Sequence, residues 1–305
     1  MSEPRLEDWV GRRESRVDRI TPAPLAALAA TLDLPEVPKL AAGAIAPLWH
    51  WLYFLPLARA SELGTDGHPR RGGFLPPVPL PRRMWAGGRL RFDAPLRVGD
   101  DVVRDSRILS VERKHGKSGA LVFVVVRHEF RVGGVTCLSE EHDIVYRDNP
   151  PTPPEGSGST AGTAAGAAAV PAGAAAPTDE TFSRRVEPDP VLLFRYSALT
   201  FNGHRIHYDR SYVTGVEGYP GLIVHGPLIA TMLAELARSQ APDATMRSFE
   251  FRASNPIFDI HPFAVCGKPV AVDAAVDGDA RVAFDLWARD HRGALAMRAR
   301  AVFHA

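Results

Sequence analysis

The spacing of apolar residues divides the chain into helical and strand-like stretches. Between residues 6 and 34, apolar side chains recur every three or four positions, which predicts helices, the second of them capped by Thr21. Between residues 89 and 146, apolar and polar residues alternate in runs separated by glycine turns, which predicts three or four antiparallel strands. Residues 45–60 are rich in apolar and aromatic side chains and predict a core helix rather than an aromatic ligand site.

The second part of the chain repeats this order of elements. The stretch at 89–102, a strand followed by a proline corner, a polar kink and another strand, has a counterpart at 249–265. Two further strands with a glycine turn follow each of them. An apolar run at 192–194 predicts a strand, and residues 227–238 carry the core face of a helix. The repetition predicts two copies of one α+β unit, in which a long helix is wrapped by a curved antiparallel sheet.

Residues 149–178 consist almost entirely of Pro, Gly, Ser, Thr and Ala. Such a segment cannot bury enough apolar surface to offset the entropy lost on ordering, so it predicts a flexible linker. The chain is therefore divided into an N-terminal domain at 1–148 and a C-terminal domain at 179–305.

A second irregular segment, residues 64–89, is rich in proline and glycine, which excludes a regular helix or strand pattern. A long irregular segment inside a compact domain is either functional or disordered, and the apolar residues of this one argue against disorder. Its arginines, which include Arg82 and Arg83, either hold anionic groups or are solvated loop charges. The first reading has a physical basis, because a guanidinium presents paired donors to a carboxylate or phosphate.

Composition and charge narrow the class of protein. Of the 305 residues, 45% are apolar and 23% are charged, as in globular proteins, and 36 basic residues balance 35 acidic ones. The net charge of +1 favours neither nucleic acid nor an anionic membrane. We expect a cytoplasmic protein, because the N-terminal residues contain no secretory signal and the longest apolar stretch near them, 40–57, is interrupted by prolines. Cys137 and Cys266 are predicted to be buried thiols in a reducing compartment.

Titratable residues and glycines concentrate between residues 201 and 226. The sequence reads FNGHRIHYD at 201–209 and IVHG at 223–226, just ahead of the predicted helix. These residues resemble the motif of MaoC-like hotdog enzymes. Together with the preceding FRYSALT they are most similar to the hydroxyacyl-thioester dehydratase type 2 family, in the subgroup of mesaconyl-C4-CoA (3-methylfumaryl-CoA) hydratases. The resemblance extends over the whole chain.

The resemblance implies a double hotdog, with a divergent N-terminal hotdog at 1–148 and a MaoC-like C-terminal hotdog at 179–305 that carries the site. It implies a lyase that adds water to the double bond of an enoyl-CoA thioester, with mesaconyl-C4-CoA as the expected substrate and citramalyl-CoA as the product. No metal and no redox cofactor are expected, and coenzyme A is part of the substrate. The N-terminal hotdog, which lacks the histidine motif, is expected to complete the acyl tunnel, and the chain could also form a homodimer.

The same resemblance assigns roles to individual residues. In the family pattern Asp-x-Asn-Pro-x-His-x-Asp, the histidine falls on His207 and the leading aspartate on Asn202, an amide that cannot act as a base. We therefore predict His207 as the acid/base, with Asn202 orienting the water and His204 replacing the missing carboxylate. The N–H of Gly226, at a helix N-terminus, corresponds to the donor that stabilises the enolate oxygen. Asp209 is predicted to be a turn or cap residue, or a partner that fixes a histidine tautomer.

Substrate contacts are less sharply indicated by the sequence. A dicarboxylic acyl-CoA needs a cation for its free carboxylate, and Arg205, Arg82 and Arg83 are the predicted cations. Tyr196, in the FRYSALT run, is a further predicted substrate contact. Two alternatives stay open: a 3-hydroxyacyl-thioester dehydratase of fatty-acid metabolism that acts on linear chains, and a non-catalytic acyl-CoA-binding subunit in which Asn202 has abolished the chemistry.

Overall fold

The computed structural model describes residues 5–116, 119–148, 173–272 and 281–304. These residues form ten strands and four α-helices, joined by loops and short 3-10 turns. The strands are β1 (Arg13–Arg19), β2 (Arg82–Phe92), β3 (Asp101–Gly116), β4 (Gly119–Val132), β5 (Val135–Arg147), β6 (Phe182–Val186), β7 (Thr245–Ala253), β8 (Phe263–Val270), β9 (Val282–Arg289) and β10 (Leu295–His304). The helices are α1 (Pro22–Thr31), α2 (Pro190–Leu199), α3 (Arg210–Gly215) and α4 (Gly226–Gln240).

All ten strands belong to one antiparallel sheet, in the order β1-β3-β4-β5-β2-β7-β10-β9-β8-β6. The five strands that precede residue 148 lie on one side, the five that follow residue 181 lie on the other, and the two groups meet where β2 pairs with β7. Buried and less buried residues alternate along β4, as the period of two in the sequence requires. The antiparallel strands predicted between residues 89 and 146 are confirmed. The prediction that residues 64–89 contain no regular strand is wrong for 82–89, which belong to β2 and pair with β5, because the last proline of the segment is Pro81.

The longest helix, α4, lies against the C-terminal half of the sheet. It contacts β7, β8, β9 and β10, and each residue from Leu228 to Ala237 is buried. A helix buried on every side is enclosed by other elements, so α4 is the predicted helix wrapped by a sheet. The α+β prediction is confirmed. The N-terminal half differs from the predicted unit in one respect. Its described residues contain the ten-residue helix α1 and 3-10 turns, where a long helix was predicted.

Two predicted elements have the wrong type. Residues 13–19 form the edge strand β1 rather than part of a helix, since the backbone pairs with β3 and Val17 is exposed instead of starting an apolar face. Residues 192–194 lie in helix α2 rather than in a strand. Asp189 caps this helix by accepting a hydrogen bond from the backbone N–H of Leu192 at 2.8 Å, and Pro190 begins its first turn.

Residues 45–60 belong to the core as predicted, but they do not form the predicted helix. In this stretch Trp49–Leu52 forms a 3-10 turn, and a second one, Ala60–Glu62, begins at its end. Leu48 and Phe54, on either side of the first turn, have positive φ angles of 70° and 56°, which a right-handed helix cannot accommodate. Most of the aromatic and apolar side chains are nevertheless buried. The hydrophobic pattern of this stretch therefore predicts burial correctly but does not indicate a helix.

One hydrophobic core crosses between the two halves and includes Leu25 and Trp49 from one half with Leu228 and Phe249 from the other. The indole N–H of Trp49 also donates a hydrogen bond to the buried carboxylate of Glu235 in α4 at 3.1 Å. Because the halves share a core, they position each other's loops.

Cys137 and Cys266 are buried free thiols, as predicted. In the part of the chain that the structure describes, no helix is long and apolar enough to cross a membrane. The linker predicted at 149–178 falls mainly on residues 149–172, which lie outside the described ranges.

Glycines allow β2 and β7 to approach closely where the half-sheets join. A Cβ atom on Gly87 would lie 2.6 Å from the backbone oxygen of Phe251, below any real contact distance. We predict that Gly87→Ala lowers the free energy of unfolding by about 1–3 kcal/mol, because a paired backbone cannot move aside as a flexible side chain can. Gly73→Ala is the matched control, since its Cβ would meet nothing within 4 Å. Equal urea midpoints for the two variants would contradict this prediction.

Candidate active site

The loop that carries the histidine motif begins where helix α2 ends. Phe201 follows the helix with a positive φ of 50°, a conformation that reverses the chain direction and usually favours glycine. The backbone N–H of Asn202 then donates to the carbonyl of Ser197 at 2.8 Å. The side-chain oxygen of Asn202 accepts from the backbone N–H of His204 at 3.1 Å, which fixes the amide orientation. The side-chain NH2 group of Asn202 is thereby left as a donor toward a ligand.

The tautomer of His207 follows from its hydrogen bond. Its Nδ1 lies 2.7 Å from the backbone carbonyl oxygen of Ile223. A carbonyl can only accept, so Nδ1 carries the hydrogen and Nε2 keeps its lone pair. Burial lowers the pKa of His207 to about 4. The side chain is therefore a neutral imidazole near pH 7, with Nε2 available as a base.

The ring of His225 stacks against one face of the His207 ring. The two rings stack with centroids 3.7 Å apart and planes tilted by 17°. The Nε2 of His225 lies 2.8 Å from the hydroxyl oxygen of Ser197, and the Tyr196 ring packs edge-on against His225 at 5.0 Å. Tyr196 is only 2% exposed, so its placement supports a role in fixing the histidine stack and gives no support to the predicted substrate contact.

On its other side, the motif meets a loop from the N-terminal half. The ring of His204 lies 5.5 Å from that of His207 and 4.0 Å from that of His68, between centroids. The Nδ1 of His68 lies 3.1 Å from one carboxylate oxygen of Asp66, and the backbone N–H of His68 donates to the other oxygen at 3.0 Å. Four histidines from both halves thus form a row, with His68 and His225 at its ends.

Burial and mutual proximity keep these imidazoles uncharged. Burial, together with the nearby His68 and His207, lowers the pKa of His204 to about 2. Burial also lowers the pKa of His68, although the hydrogen bond from its ring to Asp66 acts in the opposite direction. Burial alone would raise the pKa of Asp66, but its interactions with His68 lower it. Asp66 is therefore an ionised carboxylate beside neutral histidines.

The two loops touch through their backbones. A Cβ atom on Gly67 would lie 1.8 Å from the backbone oxygen of Gly203. The backbone N–H of Arg205 donates to the carbonyl of Asp66 at 2.9 Å, and its guanidinium donates to the carbonyl of Thr65 at 3.1 Å. Gly67 also has a φ of 87°, in the region that only glycine adopts readily. No other residue type fits at Gly67 while the two loops stay in contact.

Gly226 is the first residue of α4, preceded by His225 at the N-cap position. The N–H groups at the start of a helix have no partner within it, and the helix dipole places partial positive charge there. The backbone oxygen of Trp85, in β2, lies 4.0 Å from where a Gly226 Cβ atom would be. The N-terminus of α4 therefore faces the N-terminal half, on the same side as the histidine row.

The three arginines predicted as substrate cations have different surroundings. Arg205 binds the carboxylate of Asp209 through Nε and Nη2 at 3.0 and 2.8 Å, and Arg82 forms a salt bridge with Glu217 at 3.1 Å. Among the described residues, the half-buried Arg83 forms no salt bridge with a carboxylate. Its positive charge contributes to lowering the pKa of both His68 and His204, so it lies within electrostatic reach of the row.

The prediction that Asp209 is a turn or cap residue is confirmed. It precedes α3 and accepts a hydrogen bond from the backbone N–H of Tyr212 at 3.0 Å. The same carboxylate binds Arg205, so Asp209 anchors the end of the motif rather than facing a substrate.

A divalent cation has one conceivable set of ligands in the described residues. One ligand atom each from Asp66, His68 and His204 lies within 4.8 Å of the others. Both carboxylate oxygens of Asp66 already accept a hydrogen bond from His68. A cavity of about 590 Å³ is lined by charged residues of the sheet such as Arg89 and Asp285 and by none of the four histidines.

Sequence reasoning singled out the motif at 201–209 but missed Asp66 and His68. The signal available was an Asp-x-His spacing inside an irregular segment with no reason to be disordered. Nothing in that spacing indicates which distant loop the pair will contact. The contact with His204 is a tertiary one, 136 positions along the chain from His68.

Comparison with known proteins supplies the family context. The family model described as hydroxyacyl-thioester dehydratase type 2 matches residues 48–259. A mesaconyl-C(4)-CoA hydratase from Chloroflexus aurantiacus is 46% identical over 266 residues, which are 86% of this chain and 88% of that protein. The mitochondrial hydroxyacyl-thioester dehydratase type 2 of Schizosaccharomyces pombe is 29% identical over 245 residues, covering 72% of this chain and 76% of that protein.

Solved structures share the architecture. A MaoC-like dehydratase from Phytophthora capsici superposes with a TM-score of 0.64 at 15% identity, covering 96% of each chain. This likeness concerns the fold, and it confirms the predicted double hotdog.

We predict that Gly67→Ala separates the two loops and removes catalytic activity with little loss of global stability. The added Cβ atom would overlap the Gly203 carbonyl, and the loop must move to avoid it. Gly72→Ala is the matched control, because Gly72 also has a positive φ (91°) but its Cβ would meet only a side-chain atom of Pro77 at 3.6 Å. Turnover and thermal unfolding of both variants test this. If Gly67→Ala and Gly72→Ala retained equal activity, the loop contact would be irrelevant to the site.

The protonation of His207 can be measured directly. We predict that ¹⁵N correlation spectra show the Nδ1–H tautomer from neutral pH down to about pH 4, where the second proton binds. Between pH 6.5 and that value the unfolded chain binds more protons at this residue than the folded one, so this histidine lowers stability as the pH falls. An Nε2–H tautomer, or a titration near pH 6.5, would show that the bond to Ile223 does not control the ring.

Proposed function

Because this chain belongs to the hydroxyacyl-thioester dehydratase type 2 family, we propose that it is a hydratase that adds water to the double bond of an enoyl-CoA thioester. The proposed substrate is mesaconyl-C4-CoA, which would give citramalyl-CoA. The observation that carries the proposal is the buried, neutral His207, whose Nδ1 is held by Ile223 and whose Nε2 is free to act as a base. The name of the 46% identical relative supports the choice of substrate.

In the proposed mechanism, water is held between His207 and Asn202. The Nε2 lone pair of His207 accepts a proton from the water, while the Asn202 amide donates a hydrogen bond to the water oxygen. This division follows from the geometry, since the Asn202 oxygen is already used by the His204 backbone N–H. An amide at this position can orient water but cannot carry a proton, and proton removal is therefore assigned to the imidazole.

The electrons of the double bond move to the thioester oxygen as the water oxygen bonds to the β-carbon. The Gly226 N–H, at the start of α4, is the proposed donor to this enolate oxygen. Donors fixed in place before the reaction stabilise developing charge without reorganising. Protonation of the α-carbon then completes the hydration.

Arg83 is the proposed cation for the free carboxylate of the substrate. In mesaconyl-C4-CoA this carboxylate is attached to the carbon that water attacks, so its partner must lie near the histidines. Arg83 meets this condition through its effect on His68 and His204, whereas Arg205 and Arg82 are held by Asp209 and Glu217. The Arg83 guanidinium lies beside the buried Tyr146 side chain, a neutral neighbour, and with no carboxylate partner among the described residues its charge remains for an anionic ligand.

A second candidate is a 3-hydroxyacyl-thioester dehydratase acting on linear chains, which the name of the Schizosaccharomyces pombe relative favours. It would use the same His207, since hydration and dehydration are one reaction in two directions. The non-catalytic acyl-CoA-binding subunit has less support, because His207 is poised as a base even though Asn202 replaces the carboxylate. Cytoplasmic location, homodimer formation and independence of metal or redox cofactors stay predictions.

We predict that His207→Ala lowers kcat by about 100- to 10,000-fold, the usual contribution of a general base. The measurement is the loss of enoyl-thioester absorbance with mesaconyl-C4-CoA and, separately, crotonyl-CoA. If the wild type acts on crotonyl-CoA but not on mesaconyl-C4-CoA, the hydratase activity is supported and the proposed dicarboxylic substrate is wrong. Binding of both thioesters without turnover would favour the binding subunit instead.

The role of Arg83 is tested with the same two substrates. We predict that Arg83→Ala raises KM for mesaconyl-C4-CoA by about 10- to 100-fold, in line with the loss of a hydrogen bond to a charged group. Crotonyl-CoA keeps the β-methyl group but lacks the carboxylate, so its KM should stay within about 2-fold. Arg91→Ala, an exposed change on the same strand, is the control variant. A similar rise for both substrates would assign Arg83 to coenzyme A or to the fold.

A further inference from the structure

Hydration involves two proton transfers, and the motif supplies one clear carrier. His207 can take the proton from water, but the α-carbon must also receive one. Where the family pattern has a carboxylate, this chain has Asn202, and His204 lies beside two other histidines without a carboxylate partner of its own among the described residues. Within the motif, the second carrier would be His204 or His207 itself, and neither ring is hydrogen-bonded to a carboxylate in the described residues. A histidine that is paired with a carboxylate is better suited, because the carboxylate stabilises its protonated form.

The structure brings one such group to the motif from the N-terminal half. We propose that His68 is a second catalytic residue, which exchanges the proton at the α-carbon of the substrate, and that Asp66 is its positioning residue. This inference rests on the hydratase function proposed above. It assigns chemistry to the half of the chain that lacks the histidine motif.

The geometry of the pair supports the assignment. A carboxylate can only accept, so the 3.1 Å contact places a hydrogen on Nδ1 of His68 and leaves Nε2 for the substrate. The carboxylate also stabilises the imidazolium that forms when Nε2 binds a proton, as in other carboxylate–histidine pairs. Of the four histidines in the row, His68 is the one whose ring contacts a carboxylate. Its side chain is 20% exposed, so it is open to a ligand, whereas His225 is fully enclosed.

The position of the pair is built into the fold. The Gly67 backbone, between Asp66 and His68, lies against the Gly203 backbone, and Arg205 donates to the Asp66 carbonyl. These contacts fix His68 relative to the loop that carries His207. A residue held by backbone contacts keeps the geometry that proton transfer requires.

The step balances without a co-reactant. As the oxygen of water bonds to the β-carbon, one water proton moves to Nε2 of His207 and the π electrons move to the thioester oxygen. The proton then passes from His207, through solvent or His204, to Nε2 of His68, whose Nδ1–H stays on the Asp66 carboxylate. When the enolate collapses, the α-carbon takes this proton from Nε2 of His68, and both imidazoles are neutral again, as at the start. In dehydration the same groups act in reverse.

Exchange at the α-carbon separates the two histidines experimentally. A saturated acyl-CoA with the carbon skeleton of the substrate cannot be hydrated, but its α-hydrogen can exchange with solvent in D2O. We expect wild type and His207→Ala to exchange deuterium at similar rates, and His68→Ala to be slower by about 100-fold or more. Added imidazole should restore exchange in His68→Ala, which a merely structural role would not allow. His115→Ala, an exposed histidine on β3, is the control.

The Asp66→Asn variant provides a second test that does not depend on removing the ring. We expect a lower kcat with little change in KM, and a shift of the pH profile to lower pH, because the carboxylate no longer stabilises the protonated ring. An unshifted pH profile would overturn the role of Asp66. Unchanged exchange and hydration in His68→Ala would overturn the role of His68.

Two further outcomes are informative. Loss of wild-type activity on dialysis against a chelator, with recovery on adding Zn²⁺, would show that Asp66, His68 and His204 hold a metal and would overturn the proton-carrier role. A wild type that hydrates no enoyl-CoA would refute the proposed function. If the wild type hydrates an enoyl-CoA and His68→Ala does so at the same rate, the role of His68 is refuted while the proposed function stands.

Discussion

The backbone contact between Gly67 and Gly203 is the interaction on which the site depends. Each of these residues lies in an irregular loop from a different half of the chain, and the contact fixes the two loops relative to each other. Because a Cβ atom at Gly67 would overlap a carbonyl oxygen, sequence variation there is limited by sterics rather than by chemistry. The contact places Asp66 and His68 against His204, and so makes the row of histidines continuous across the two halves.

The wider fold holds these two loops in reach of each other. The half-sheets join at β2 and β7, where Gly87 and Gly88 permit close approach. Next to that junction, the backbone of Trp85 in β2 lies close to the N-terminus of α4. One core under the joined sheet then resists sliding of one half over the other. The N-terminal half thus contributes Asp66 and His68 to the row of histidines.

How far the sequence predicts this molecule depends on the range of the interactions involved. Strands β3 to β5 and helix α4 follow from local periodicity, because each buries one face or all faces of a regular element. Most of β2 does not, because residues 82–89 lie in the segment whose prolines and glycines predicted no strand. The helix predicted around Trp49 is wrong, because this segment is buried by packing against residues of the other half and not because it has an amphipathic helix pattern. Two other segments were predicted with the wrong type for a similar reason. Residues around Val17 form a strand because they pair with the edge of β3, and residues 192–194 form a helix because Asp189 caps it.

The residues of the candidate site also divide into those that a sequence motif predicts and those that only tertiary contacts bring together. His207, Asn202 and Gly226 are recognisable in two short segments of one stretch, 201–209 and 223–226, whereas the position of His68 becomes visible only when two distant loops are brought together. Which arginine keeps its charge for a ligand also depends on tertiary partners, since Arg205 and Arg82 each meet a carboxylate that the sequence does not pair with them.

The most direct test of the central claim is to follow ¹⁸O from labelled water when the full-length protein acts on mesaconyl-C4-CoA. We predict that mass spectrometry finds one ¹⁸O atom in an intact acyl-CoA product, as the hydroxyl group added to the β-carbon. Recovery of ¹⁸O in a released free acid, with coenzyme A set free, would mean that the thioester is hydrolysed instead. That result would contradict the hydratase account of this site.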